Sequence, residues 1–325
     1  MLYEGLQDHL FGVPGTWNFN RCSSRQCGLV WLDPMPIEED IARLYETYST
    51  HASGSSFLQS DTSAFRRKIG RALLANGFGY IQEAPNDWTD IVGRLGIKSR
   101  FFRARVGSNV SWLDASWCGR LIDVGCGNGE FLVRMRELGW DVTGVEPDPH
   151  AAKIAREKYG LPIVLGSLAD SDFAPESFDA ITMNQVIEHL MDPVSTLKIA
   201  KKLLTKNGHL VIQTPNVCSL GHRWFRDRWR GLEPPRHLFL FSLRTLCKTV
   251  ALAGFKSLNF ENNSIASDYM WKASSAGRAG LDPNSCSTEY CNISRRLFML
   301  LEHLVTGWPF CCAWGEQLAM IVVKE

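Results

Sequence analysis

Leu121-Ile122-Asp123-Val124-Gly125-Cys126-Gly127-Asn128-Gly129 decides the fold. A short apolar run of strand length breaks into glycine at every second position, and a helical stripe of Phe131, Leu132, Met135 and Leu138 follows at once before Gly139 ends it. Glycines in such a turn remove side chains where a ligand must lie against backbone N–H groups. Val142 to Glu146 reads as the next strand, which puts Glu146 at a strand end, 21 positions after Gly125. That is about the spacing at which a carboxylate accepts hydrogen bonds from ribose hydroxyls, so turn and acid together define a nucleoside-binding crevice. The dinucleotide fingerprint requires a third glycine where this chain has Glu130, an anion beside the would-be pyrophosphate, and NAD is therefore disfavoured. A phosphate-cradling Gly-x-x-x-x-Gly-Lys loop, His-Glu-x-x-His and Gly-x-Ser-x-Gly are also missing, which removes the usual NTPase, zinc-protease and serine-hydrolase classes.

Outward from the turn, strand and helix signals alternate. Asp148 is placed to cap a helix, Pro149 fills its first turn and Gly160 closes it. Pro162 to Leu165 and Phe178 to Asn184 follow as strands, and Asp192-Pro193 opens a helix expected to run to Leu204 and stop at Asn207-Gly208. His209 to Thr214 is the fifth strand, Ser242 caps a helix ending at Gly254, and Lys256 to Asn262 and Ala319 to Val323 supply the last two strands. This repeat is the pattern of an α/β fold with a doubly wound sheet. Residues 1–119 break the rhythm, with an acidic helix around Glu38 to Tyr48, a polar linker near Ser49 to Ser60, and helices over Ala64 to Gly79 and Asn86 to Arg105 that could fold over the active edge.

Composition sets the outer limits. A chain of 325 residues, 45% hydrophobic and 21% charged, is ordinary globular protein with room for about two domains. Thirty-five Lys and Arg against 34 Asp and Glu leave a net charge of +1, so a nucleic-acid or membrane partner would need a local patch. The opening Met1-Leu2-Tyr3-Glu4 lacks the basic and apolar regions of a secretory signal, and a cytoplasmic location is expected. Ten cysteines then read as buried thiols or metal ligands rather than disulfides. The apolar stretch from Leu297 to Trp314 is interrupted by Glu302, His303 and Pro309, and reads as a buried helix and loop rather than a membrane span.

Leu121 to Gly129 resembles the first motif of class I S-adenosylmethionine-dependent methyltransferases, and Val142 to Asp148 resembles their acidic second motif. Phe178-Asp179-Ala180-Ile181 through Ile187-Glu188-His189-Leu190-Met191-Asp192-Pro193 is similar to the fourth-strand motif of the branch that includes ubiquinone-biosynthesis O-methyltransferases. The resemblance covers roughly residues 118 to 262 and the closing strand. It implies a Rossmann-like seven-stranded sheet, mostly parallel with an antiparallel last strand, here carrying a helical N-terminal extension. It implies S-adenosyl-L-methionine as cofactor and methyl transfer to a small molecule, at oxygen. Asp123, Gly125, Cys126, Gly127 and Gly129 would then line the cofactor, Glu146 would hold ribose with Pro147 nearby, and Ser167 and Leu168 would flank adenine. Many relatives carry an acid where Ser167 stands, and Asp170 could substitute. Asn184 and Gln185 would face the methionine end and the methyl group.

If the acceptor is a hydroxyl, a general base is needed, and His189 and His237 are the candidates. In some relatives two acids and this histidine also hold a divalent metal; Gln185 stands where the first acid would be, so no metal is expected. His237 closes a loop in which Arg223, Arg226, Arg228, Arg230 and Arg236 alternate with Trp224, Phe225 and Trp229, an interleaving suited to an anionic small acceptor, to a solvated lid, or to RNA. The small acceptor leads; nucleic acid and a non-catalytic cofactor-binding scaffold are the alternatives. Cys22-x-x-x-x-Cys27-Gly28 resembles the second half of a zinc ribbon found ahead of some methyltransferase domains. With two ligands of four, either the chain extends upstream, or His9 or His51 contributes, or no metal binds, the last being favoured. The expected organisation is a zinc-ribbon-like segment at 1–50, a helical lid or linker at 51–117, and the methyltransferase domain at 118–325 with substrate-side insertions at 217–240 and 263–314. Oligomeric state is not legible in the sequence.

Overall fold

The structure, a computed structural model, describes residues 1–8, 11–44, 64–80, 87–263, 267–279 and 314–325. The expected linker, His9, His51 and nearly all of the apolar stretch at 297–314 lie outside these residues. In chain order the elements begin with β1 (Tyr3–Leu6), β2 (Trp17–Arg21), β3 (Val30–Asp33) and α1 (Glu38–Leu44), then α2 (Ala64–Phe78), α3 (Asp87–Gly96) and α4 (Arg100–Asn109). The alternating part follows as β4 (Arg120–Val124), α5 (Glu130–Glu137), β5 (Asp141–Glu146), α6 (Pro149–Tyr159), β6 (Ile163–Leu165), β7 (Phe178–Asn184), α7 (Pro193–Leu203) and β8 (Leu204–Pro215). The chain closes with α8 (Leu220–Phe225), β9 (Phe239–Leu240), α9 (Leu243–Leu252), β10 (Ser257–Asn263), α10 (Ser267–Ala279) and β11 (Gln317–Val323).

Seven strands form the main sheet in the order β10-β11-β8-β7-β4-β5-β6. β4 to β8 run parallel, while β11 is antiparallel to both β8 and β10. The strands are buried on both faces, and successive residues divide between two cores as the pleat requires. Leu121, Ala180, Val211 and Ala319 face a layer that includes Leu73, Phe78, Val106, Leu132 and Ala155. Their neighbours Ile122, Ile181, Ile212 and Met320 face Leu197, Ala200, Leu246 and Val250. Local signals end the helices as read: Asp148 accepts from the His150 N–H at 2.8 Å, Asp192 from Ser195 at 2.9 Å, and Gly160 closes α6 at a φ of +60°.

Two features depart from the sequence reading. The strand expected to start at His209 starts at Leu204: Asn207 takes a φ of +62° and donates its N–H to the Lys324 carbonyl at 2.8 Å, so the expected stop is absorbed within β8. The helical extension α1 to α4 is preceded by β1, β2 and β3, which join β9 in a second, four-stranded sheet. The N-terminal segment and the 217–240 insertion are therefore one packed unit, cored by Phe19, Val30, Leu32, Phe225, Trp229 and Leu240.

Candidate active site

β4 and β7 are neighbours, with β5 on the far side of β4, so strand order reverses at β4. In open α/β sheets ligands bind at such a switch point, beyond the carboxyl ends of the strands. The glycine turn sits there. Gly129, at a φ of +83°, would drive a Cβ to 2.5 Å from Leu161, so its bare Cα lets the start of α5 close on α6. Gly127, at +55°, would direct a Cβ into open space. The first is glycine for packing; the second leaves a cradle.

Glu146 is buried at the end of β5, one oxygen accepting from the Gly127 N–H at 2.7 Å and the other from Asp148 at 2.9 Å. Burial raises its pKa, and those two hydrogen bonds oppose the rise. A carboxylate offers about four acceptor sites, so both oxygens keep capacity for a further donor. The Gly166 N–H donates to the Glu146 carbonyl at 3.0 Å, which brings the loop after β6 to the same place. There Ser167 and Asp170 form a reciprocal cap: the Asp170 carboxylate accepts from the Ser167 N–H and hydroxyl, which hold its pKa down. Asp170 thus fixes the loop. Pro147 is exposed beside Glu146.

Three residues that the sequence reading places in the crevice have buried side chains. The Cys126 side chain is buried, and a Cβ on Gly144 would meet its sulfur at 2.5 Å, so the thiol is tucked against β5. Leu168 belongs to the core under the sheet. Asp123 is buried and accepts from Thr182 at 2.6 Å and from Asn184 at 3.4 Å; burial pushes its pKa up to about 7, against the Thr182 hydrogen bond and with the help of nearby Glu146. The Asn184 amide oxygen in turn accepts from Ser111 at 3.2 Å and from the Gln213 amide. Gln185 takes a φ of +57° and donates its N–H to Gln213 at 2.8 Å. That turn leads through Val186, which packs against Gly125, to the second half of the site.

His189 and His237 come together there, ring centroids 4.8 Å apart. His189 Nδ1 lies 3.0 Å from the Arg236 carbonyl and His237 Nδ1 2.8 Å from the Gly231 carbonyl. A carbonyl only accepts, so both neutral rings carry the proton on Nδ1 and leave a lone pair on Nε2. Burial lowers both pKa values, that of His237 to about 3, and the rings are neutral at pH 7. Glu188 joins them. Fully buried, its carboxyl is pushed up to about 8 by desolvation despite a 2.9 Å hydrogen bond from Thr214 to one oxygen, and its other oxygen has no partner among the described residues. Ligand atoms of Glu188, His189 and His237 lie within 4.8 Å of one another.

Behind the histidines lies an ion-pair network the sequence reading left out. The Arg236 guanidinium donates to both Asp8 carboxylate oxygens at 3.0 Å and to Glu233 at 3.0 Å, and Glu233 also pairs with Arg230. Burial alone would raise the Glu233 pKa, but Arg230, His237 and Arg236 bring it down to about 2. Trp229 is buried too, its indole donating to Glu316 at 2.9 Å. The arginine and aromatic loop therefore faces two ways: Arg230, Arg236, Trp229 and Phe225 turn inward, while Arg223, Trp224, Arg226 and Arg228 stay exposed. Buried Glu233, Asp8 and Glu316 draw the inward half of the loop in. The signal available in sequence was Glu233, three positions before Arg236 and three after Arg230. Cys22 and Cys27 adjoin on the loop after β2, and Cys27 is among the groups that lower the Cys22 pKa, after a backbone hydrogen bond at Ser24.

A family model described as a methyltransferase domain matches residues 63–259. Among curated proteins, a ubiquinone biosynthesis O-methyltransferase of Xanthomonas axonopodis pv. citri is 30% identical over 174 residues, covering 52% of this chain and 66% of that protein. One from Cereibacter sphaeroides is 36% identical over 122 residues, covering 34% and 49%. The chain thus spans about half to two thirds of the length of these relatives. A solved SAM-dependent methyltransferase from Archaeoglobus fulgidus is 19% identical, with a TM-score of 0.46 and coverage of 71% of this chain and 98% of that one.

Proposed function

The chain belongs to the methyltransferase-domain family, whose model matches more than half of it, and on that footing we propose that it transfers a methyl group from S-adenosylmethionine to an oxygen of a small-molecule acceptor. The observation that carries this reading is the lock between Glu146 and Gly127. A carboxylate with unused acceptor capacity is pinned 2.7 Å from the N–H of a residue whose missing side chain leaves open space. That fits an adenosyl ligand: main chain lies bare where the amino-acid portion would pass, and an acid stands where ribose hydroxyls would donate. Gly125, Gly127, Glu146 and Ser167 would hold the cofactor directly, with Asp123, Cys126 and Leu168 shaping the crevice from below and Asn184 and Gln185 at its methionine end.

When bound, S-adenosylmethionine supplies a methyl carbon activated by its sulfonium, so most of the acceleration comes from alignment and exclusion of water. An oxygen acceptor must also lose a proton. His189, neutral with its lone pair on Nε2 and its Nδ1–H held by the Arg236 carbonyl, is in the form a general base requires. His237 stands beside it and orients against Gly231 in the same way. Incubation with methyl-labelled S-adenosylmethionine and fractionated metabolites, scored for a methyl-sized mass gain on an oxygen, tests the proposal. Cofactor binding without labelling of any fraction would instead support the scaffold reading.

A further inference from the structure

An amphipathic helix ordinarily turns its apolar stripe inward. α3 does the reverse. It packs on α2 through Thr89, which is buried, and Gly93, whose Cα lies so close to the Ala72 carbonyl that a Cβ would sit 2.7 Å from it. Trp88, Ile91, Val92 and Leu95, at the i, i+3, i+4, i+7 spacing of a single helix face, are exposed, Ile91 by 57% and Leu95 by 64%. Phe65, at the start of α2, stacks on Trp88 with ring centroids 5.8 Å apart and carries the stripe onto the next helix. A contiguous apolar face of this kind marks an interaction site.

Charge identifies its partner. The chain as a whole is balanced at 35 Lys and Arg against 34 Asp and Glu, yet α2, α3, α4 and the short link between the last two carry nine Lys and Arg against two Asp. One of those aspartates, Asp90, is paired with Arg94 at 2.8 Å. Arg67, Lys68, Lys98 and Arg100 are exposed on the same helical unit. Exposed aliphatics beside a dense positive field match an anionic bilayer, where the stripe enters the boundary between headgroups and acyl chains and the cations meet the headgroups. RNA would use the cations and the two aromatic rings but would gain nothing from Ile91, Val92 and Leu95. No helix among the described residues is long and apolar enough to cross a membrane.

We propose that the outward face of α3, with the start of α2, docks this protein on the surface of a bilayer containing anionic phospholipid. The test is co-sedimentation of the full chain with vesicles of phosphatidylcholine alone and of phosphatidylcholine mixed with phosphatidylglycerol, comparing the native chain with Leu95→Glu, Ile91→Glu and the pair Arg67→Glu, Lys68→Glu. These side chains are solvent-exposed, and circular dichroism confirms that each variant folds. Expected is partitioning to the mixed vesicles that exceeds partitioning to neutral ones, falls with added salt, and drops at least about tenfold in each apolar variant and in the charge-reversed pair. Equal binding of Leu95→Glu and the native chain would overturn the proposal. So would absence of vesicle binding by the folded native chain, binding of single-stranded RNA that survives Ile91→Glu and Leu95→Glu in place of vesicle binding, or a native dimer that these variants dissolve.

Discussion

Asp8→Asn removes one charge from the network behind the histidines, and its consequence can be worked from the geometry. Asp8 and Arg236 meet through two hydrogen bonds of 3.0 Å, with side-chain exposures of 1% and 0%. Two guanidiniums, Arg230 and Arg236, are balanced there by two carboxylates, Glu233 and Asp8. After the substitution Glu233 alone faces both. Breaking a buried pair from one side costs about 3–5 kcal/mol because the remaining charge stays desolvated, against about 0.2–1 kcal/mol for an exposed pair. At roughly 2–4 °C per kcal/mol this is a fall of about 6–20 °C in the unfolding midpoint. Urea and thermal unfolding measure it. The double variant Asp8→Leu, Arg236→Met, which removes both charges and keeps Glu233 with Arg230, should recover most of the loss. A cost below about 1 kcal/mol for Asp8→Asn, or a double variant no more stable than the single one, would refute the claim that this is a desolvated, mutually dependent pair.

Other consequences are equally direct. Glu146→Ala should weaken S-adenosylmethionine binding by about tenfold to hundredfold for each ribose hydrogen bond lost, read by calorimetry, whereas undiminished affinity would remove Glu146 from the site. Burial lowers the His189 pKa below its ordinary 6.5, so the base form persists into mildly acidic solution and kcat/KM should fall only as pH drops through that lowered value. His189→Gln should abolish this acid limb; a limb unchanged in the variant would assign the base elsewhere. The Glu188 carboxyl is raised from 4.5 to about 8, so its contribution to stability is complete below pH 4.5 and is lost as pH rises through 8. Glu188→Gln should flatten that decline and stabilise the protein at pH 8 by a few kcal/mol on the scale of about 1.4 kcal/mol per pKa unit. Parallel stability profiles for the two proteins would contradict it.

Much of the main sheet is legible because its signals are local. The strand from Leu121, the cap-and-proline starts at Asp148 and Asp192, and the glycine turn each declare themselves within a few residues. The seven-stranded sheet with its antiparallel last strand follows from the family resemblance. What escapes is pairing over distance. Nothing near Tyr3 or Val30 announces a sheet completed by Phe239, and nothing near Asp8 announces Arg236, 228 positions away. Asn207-Gly208 reads as a stop, yet Lys324 supplies the hydrogen bond that keeps it within a strand. The two histidines are visible singly; their meeting, and the buried Glu188 beside them, depends on the chain after β8 returning to the turn after β7, where the Leu238 N–H donates to the Glu188 carbonyl at 2.8 Å.

The account's central claim is tested most directly by titrating S-adenosylmethionine into the native chain and into Gly127→Arg in a calorimeter. A side chain at Gly127 enters open space in the free protein and costs only about 1–2 kcal/mol for its left-handed backbone, so the variant should fold while the cradle is filled. Saturable binding to the native chain, lost in a folded Gly127→Arg, is the predicted result; no binding to the native chain, or equal binding to both, would contradict it.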